Sequence, residues 1–166
     1  MAVRPVLRYP AVVLKAKAEP IEPGPHATQL CLDLVDTMRA SPACVGLAAP
    51  QIGVGVRAFC IDVTGHPKAR SCHDLIVMIN PVIVTTGGSH VAREGCMSLP
   101  DFTGNVRRAQ TITVRGTAPD GSHVTIEADS FEARALQHEI DHLDGLLFLD
   151  RVSSLTADLF PRKRYR

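Results

Sequence analysis

Toward the C-terminal end of the chain, the run Gln137-His138-Glu139-Ile140-Asp141-His142-Leu143-Asp144-Gly145 sets two imidazoles four residues apart, with a carboxylate directly after the first. On a helix, that spacing puts both rings on one face a turn apart, so His138 and His142 can converge on one cation. Glu139 sits one position round, where its carboxylate can approach water at that cation without taking a coordination site. A metal site here requires a helix with one face covered by whatever completes the site; taken alone, the motif is equally an exposed helix face of ordinary polar residues. The flanking residues agree. Asp129 stands as an N-cap, Ala133, Leu136, Ile140 and Leu143 follow at helix-compatible spacing, and Gly145 terminates, which predicts a helix over residues 129–144.

A second amphipathic helix is predicted over residues 26–39, where Leu30, Leu32, Leu34, Val35 and Met38 follow the prolines at 20, 23 and 25. The middle of the chain reads as β. Residues 54–63 and 75–85 are rich in β-branched and apolar side chains, and further strands are expected at 89–94, 111–116 and 123–128. Pro119, Asp120 and Gly121 supply a hairpin turn between the last two.

At 166 residues the chain is long enough for a single domain with a buried core. Its 18 Lys and Arg against 17 Asp and Glu leave a net charge of +1, which excludes a whole-surface field for gripping nucleic acid or anionic membrane. No apolar run reaches the roughly 18 residues of a membrane helix, and Arg, Lys and Pro interrupt the N-terminal apolar segments, so a soluble, non-exported protein is expected. Five cysteines, at 31, 44, 60, 72 and 96, are an odd number without close pairs and suit reduced cytosolic thiols. Internal repeats are absent, and the segment 161–166 forms a short basic tail containing Arg162, Lys163, Arg164 and Arg166.

Two imidazoles make an incomplete catalytic metal site, which ordinarily has three protein ligands and one open position. Cys96, in Arg93-Glu94-Gly95-Cys96-Met97-Ser98, stands where a strand enters a tight turn and is the third-ligand candidate. Cys31 and Cys60, on apolar segments, read as small buried hydrophobes. Histidines 26, 66, 73, 90 and 123 read as solvated surface. In Gly46-Leu47-Ala48-Ala49-Pro50-Gln51-Ile52-Gly53, small residues let a substrate backbone pass close, and Gln51 offers a neutral hydrogen-bond donor to developing negative charge. Read alone, that run is foremost a turn before a strand.

Together, Gly46-Leu47-Ala48-Ala49-Pro50-Gln51, Glu94-Gly95-Cys96-Met97-Ser98 and Gln137-His138-Glu139-Ile140-Asp141-His142-Leu143 resemble the three signature motifs of the peptide deformylases. The likeness extends to Val6-Leu7-Arg8-Tyr9-Pro10, Asn80-Pro81 and Leu147-Phe148-Leu149-Asp150-Arg151, so it covers nearly the whole chain. It implies an α+β fold with antiparallel strands wrapped around the central HExxH helix, and one divalent metal per chain held by Cys96, His138 and His142. Fe2+ is the family's usual metal, with Zn2+, Ni2+ or Co2+ able to replace it; ligand types alone would favour zinc. The implied reaction removes the formyl group from N-formyl-methionyl nascent peptides in the cytoplasm. Its implied catalytic groups are Glu139 as acid and base, with Gln51, the Met97 N–H and Gly46 beside the reacting carbonyl. The chain departs from the family at Cys44, where Gly is common, and at Met97, where Leu is commoner. It also lacks the long C-terminal helix of some members.

By position in these motifs, Val45, Gly46, Phe131 and Ala135 are expected to bind the substrate, with Arg134 at the pocket mouth or paired with a surface acid. Glu94, Asp141 and Arg108 are expected to form a buried ionic network behind the Cys96 turn. The basic tail is a solvated terminus or a transient ribosome contact; no membrane or sequence-specific nucleic-acid partner is expected, and oligomeric state is left open. Two other readings compete. A zinc endopeptidase would need a third ligand after His142, where only Asp144, Asp150 and Asp158 are available. A structural metal domain would close a four-ligand shell.

Overall fold

The computed structural model describes residues 2–163, which fold as α+β. Strands β1 (Gly46–Ala48), β2 (Ala58–Ile61), β3 (Ile76–Gly87), β6 (Thr111–Thr117) and β7 (His123–Asp129) form a sheet in the order β1-β2-β3-β6-β7, every neighbouring pair antiparallel. A second antiparallel sheet joins β4 (His90–Cys96), β5 (Leu99–Arg108) and β8 (Leu159–Pro161).

Two helices cover the first sheet. Helix α1 (Pro25–Ala40) begins with Pro25, whose missing N–H costs no helix bond in the first turn. Leu30, Leu34, Val35 and Met38 are buried as the spacing predicts, whereas Leu32 faces outward. Helix α2 (Ser130–Leu143) follows β7 directly. Side chains alternate across a strand, so β2 serves both helices: Phe59 and Ile61 pack with Leu136, Ile140 and Leu143 of α2, while Ala58 and Cys60 pack with Leu34 and Met38 of α1. That double burial explains why β2 reads as a continuous apolar run.

Predicted and observed elements differ at informative places. Residues 54–57 precede β2 as a loop, and β1, β5 and β8 were not anticipated. Asp129 has the extended backbone of an N-cap, but its carboxylate caps nothing in α2; it accepts the Ser71 N–H at 3.1 Å instead. The C-terminal end of α2 is closed by Arg57 Nη1 and Ala18 N–H, both donating to Leu143 O at 2.9 Å. Gly145 follows at φ +76, and a Cβ there would lie 2.8 Å from Lys15 O, so conformation and space both require glycine. The hairpin turn at 119–121 forms as expected, with Gly121 N–H donating to Ala118 O. No helix among the described residues is long and apolar enough to cross a membrane.

Candidate metal centre

Cys96 ends β4, and a two-residue turn, Met97-Ser98, returns the chain into β5. Opposite this turn stands α2. One ligand atom each from Cys96, His138 and His142 lies within 4.8 Å of the others, the only such cluster among the described residues. Cys96 Sγ is 3.4 Å from His142 Nε2. Burial by itself would raise the Cys96 thiol, but His142 and His138 outweigh it and hold the group well below its ordinary range, the condition for a metal-binding thiolate. His138 Nδ1 lies 2.9 Å from Glu94 Oε1, leaving its other ring nitrogen for the cluster. His142 Nδ1 is buried without a hydrogen-bond partner among the described residues. One thiolate and two imidazoles suit a divalent transition-metal ion and leave a position for water.

Behind the cluster, the expected acids and arginine meet. Arg108 Nε and Nη2 reach the two Glu94 oxygens at 2.8 and 2.9 Å, and its Nη1 reaches Asp141 Oδ2 at 2.5 Å. Arg151 forks onto Asp141 at 3.0 and 2.8 Å. Burial pushes the Glu94 carboxyl up, but Arg108 and His138 overcome it and keep the group ionised well below the usual carboxylate range. Of the two placements expected for Arg134, the structure has it lining the cavity described below; its acid partner is the buried Glu94 at 2.6 Å, together with the Val106 and His90 carbonyls, and no surface acid pairs with it among the described residues.

Glu139 is buried, which raises its carboxyl above the ordinary range, and its Oε2 has no partner among the described residues. A Cβ on Gly46 would sit 2.7 Å from Glu139 Oε1, so only glycine lets β1 pass this close. Gln51, in a single turn of 3-10 helix (Ala49–Ile52), is 2% exposed. Its Oε1 accepts the Ala48 N–H at 3.0 Å, which turns Nε2 toward Ser98 Oγ at 3.2 Å and Cys96 Sγ at 3.6 Å. The N-terminal arm ties both loops down: Leu7 N–H donates to Gln51 O at 2.7 Å and Tyr9 N–H to Ser98 O at 2.9 Å.

A cavity of about 280 Å³ opens over these groups, and Val45, Gly46, Met97, Phe131, Ala135 and Glu139 are among its walls. Cys44 also lines it, donating its thiol to Gly46 O at 3.1 Å; burial, aided by Glu139, pushes that thiol up to about 12. Cys31 and Cys60 are buried as read. The remaining histidines are not uniformly solvated. His26 and His123 are exposed, but His90 is half-buried, His73 Nδ1 sits 2.7 Å from the fully buried Glu132, and the His66 ring stacks on Phe131 inside the cavity. Sequence reasoning also missed Ser98, although it lies in a quoted motif, and Arg162, the tail residue that reaches the cavity. Arg164 and Arg166 fall outside the described residues. Asp144 pairs with Arg57, Asp150 with Lys15, and Asp158 with Asn105, so none joins the cluster.

The polypeptide deformylase family model matches residues 3–158. A peptide deformylase of Thermodesulfovibrio yellowstonii is 42% identical over 164 residues, covering 98% of this chain and 97% of the relative. One from Desulforudis audaxviator is 44% identical over 157 residues, covering 93% and 97%. Among solved structures, a peptide deformylase from Legionella pneumophila superposes with a TM-score of 0.84 at 39% identity, covering 93% of this chain and 88% of that one. The Thermotoga maritima peptide deformylase superposes with a TM-score of 0.83 at 31% identity, covering 93% and 100%.

Proposed function

This chain belongs to the peptide deformylase family, and from that membership we propose how its own residues carry out the reaction. The enzyme hydrolyses the formyl group from the N-terminal methionine of newly synthesised polypeptides, releasing formate and a free amine. Cys96, His138 and His142 hold its single metal. When bound there, a divalent cation acidifies water and polarises a carbonyl.

The remaining steps belong to the protein. Glu139, whose carboxyl burial raises above its ordinary range, takes a proton from water as the water oxygen attacks the formyl carbon. Oxyanion stabilisation comes from Gln51 Nε2, already aimed at the Cys96 turn, and from the Met97 N–H on that turn. Glu139 then returns the proton to the departing nitrogen. Gly46 keeps space open beside that carboxylate. Val45, Phe131 and Ala135 receive the methionine side chain, and Arg134 supports the wall through Glu94.

The convergence of a Cys-His-His cluster with Glu139 and Gln51 on one cavity carries this assignment. The test is formate release from formyl-Met-Ala-Ser by metal-loaded protein beside its Glu139→Ala variant. Wild-type turnover with a nearly inactive variant is expected; equal rates would overturn the mechanism.

Fe2+ is our choice of native metal, on family membership; Zn2+, Ni2+ and Co2+ suit the same donors. Metal analysis and activity on one anaerobically prepared sample decide it. We read residues 1–166 as one catalytic domain working in the cytoplasm, where formylated chains emerge, and assign the basic tail a transient ribosome contact. An endopeptidase is disfavoured because every downstream aspartate it could recruit is engaged elsewhere.

A further inference from the structure

The segment between β2 and β3 makes a tight turn in which His66 N–H donates to Val63 O at 3.0 Å and Ala69 N–H to His66 O at 3.0 Å. His66 Nδ1 accepts the Lys68 N–H at 3.2 Å, which leaves the proton on Nε2 and fixes the ring's rotation. The imidazole lies flat on Phe131, with centroids 3.8 Å apart and planes 5° from parallel, and both rings line the cavity.

The same segment is pinned to the residues around Phe131. Ser71 N–H donates to Asp129 Oδ1 at 3.1 Å, and Ser71 Oγ to Glu132 Oε1 at 2.8 Å. His73 N–H donates to Glu132 Oε2 at 2.7 Å, and Glu132 is fully buried. Phe131, in the first turn of α2, is only half-buried and gains a fixed plane from the imidazole. Two flat, polarisable faces locked together suit an unbranched thioether better than a branched or very short side chain.

We propose that His66 is a specificity-determining residue that holds Phe131 in a rigid aromatic slab against which the substrate methionine packs. The proposal rests on the reaction assigned above and deepens it.

Two substitutions separate ring from turn. His66→Phe keeps a flat face and loses the acceptor for Lys68 N–H; His66→Asn keeps an acceptor and loses the ring. The preference for formyl-Met-Ala-Ser over formyl-Ala-Ala-Ser, as a ratio of kcat/KM, should fall about tenfold in His66→Asn, mainly through KM, and stay within about threefold of wild type in His66→Phe. Calorimetric affinity of formyl-Met-Ala-Ser for the non-hydrolysing Glu139→Ala protein should fall to the same extent when His66→Asn is added. An unchanged preference in His66→Asn, or equal losses in both variants, overturns the proposal. If His66→Asn loses its cooperative melt, His66→Ala takes its place with the same expectation and the same overturning results. Absence of formate release from the wild type would strike the assigned reaction instead, while calorimetry would still read the wall.

Discussion

Nδ1 of His138 and Oε1 of Glu94 stand 2.9 Å apart, so a buried carboxylate sets the orientation of an imidazole that we assign to the metal. The same carboxylate receives the guanidinium groups of Arg108 and Arg134. Glu94→Gln removes the charge that makes His138 a better donor, and metal affinity should fall about ten- to a hundredfold. Competition against a chelator of known affinity measures it.

Gly46→Ala directs a methyl group to within 2.7 Å of Glu139 Oε1. The carboxylate must shift while the metal cluster, made by other residues, stays intact. Formate release should drop about a hundredfold with metal content unchanged, the pattern of a displaced base.

Gln51→Ala removes one donor from the oxyanion position and should lower kcat about a hundredfold or more, with metal retained. It also frees the Ala48 N–H and Ser98 Oγ, so a small loss of thermal stability should accompany it. Paired kinetics and melting curves separate the two effects.

Arg108→Ala leaves Glu94 and Asp141 short of a buried counter-charge, although Arg134 and Arg151 still reach them. The expected cost is about 3 kcal/mol, toward the lower end of the range for breaking a buried pair. Weaker metal retention in a protein that still melts cooperatively is the second expected readout.

Burial pushes the Asp33 carboxyl up, but hydrogen bonds from Gln29, Arg4 and the Ala2 N–H outweigh it and hold the group below the usual range. A carboxyl held down by the fold stabilises it above the unfolded pKa, and that contribution disappears as pH falls through the lower folded value. The gap in Tm between wild type and Asp33→Asn should therefore be full at neutral pH and close as pH drops below about 4. Melting scans across that interval provide the check.

How far the sequence could be read follows from the range of the interactions involved. Helices α1 and α2 and the β6–β7 hairpin carry their own periodicity and turn residues, so local pattern suffices for them. Strand β5 contains Pro100, Asp101, Gly104 and Asn105, a composition that argues for a loop; it is a strand because β4 and β8 pair with its two sides. Strands β1 and β8 have three residues each, too few to show a period. His138, Glu139 and His142 were legible because their chemistry is compact in sequence, and Cys96, on a distant strand, through its own short motif. The ion pair of Arg134 and the stacking of His66 were not, since the partners that define them, Glu94 and Phe131, arrive from distant elements. A histidine in a polar turn carries no mark of the ring it will lie upon.

The N-terminal arm spans the two sheets, with Leu7 holding the Gln51 loop and Tyr9 the Ser98 turn. Those backbone bonds work as basting stitches that reinforce the single side-chain link from Gln51 to the Cys96–Ser98 turn. A fusion partner that tugs at the opening residues would thus detune the hydrolytic machinery directly, so purification handles belong well clear of that hem.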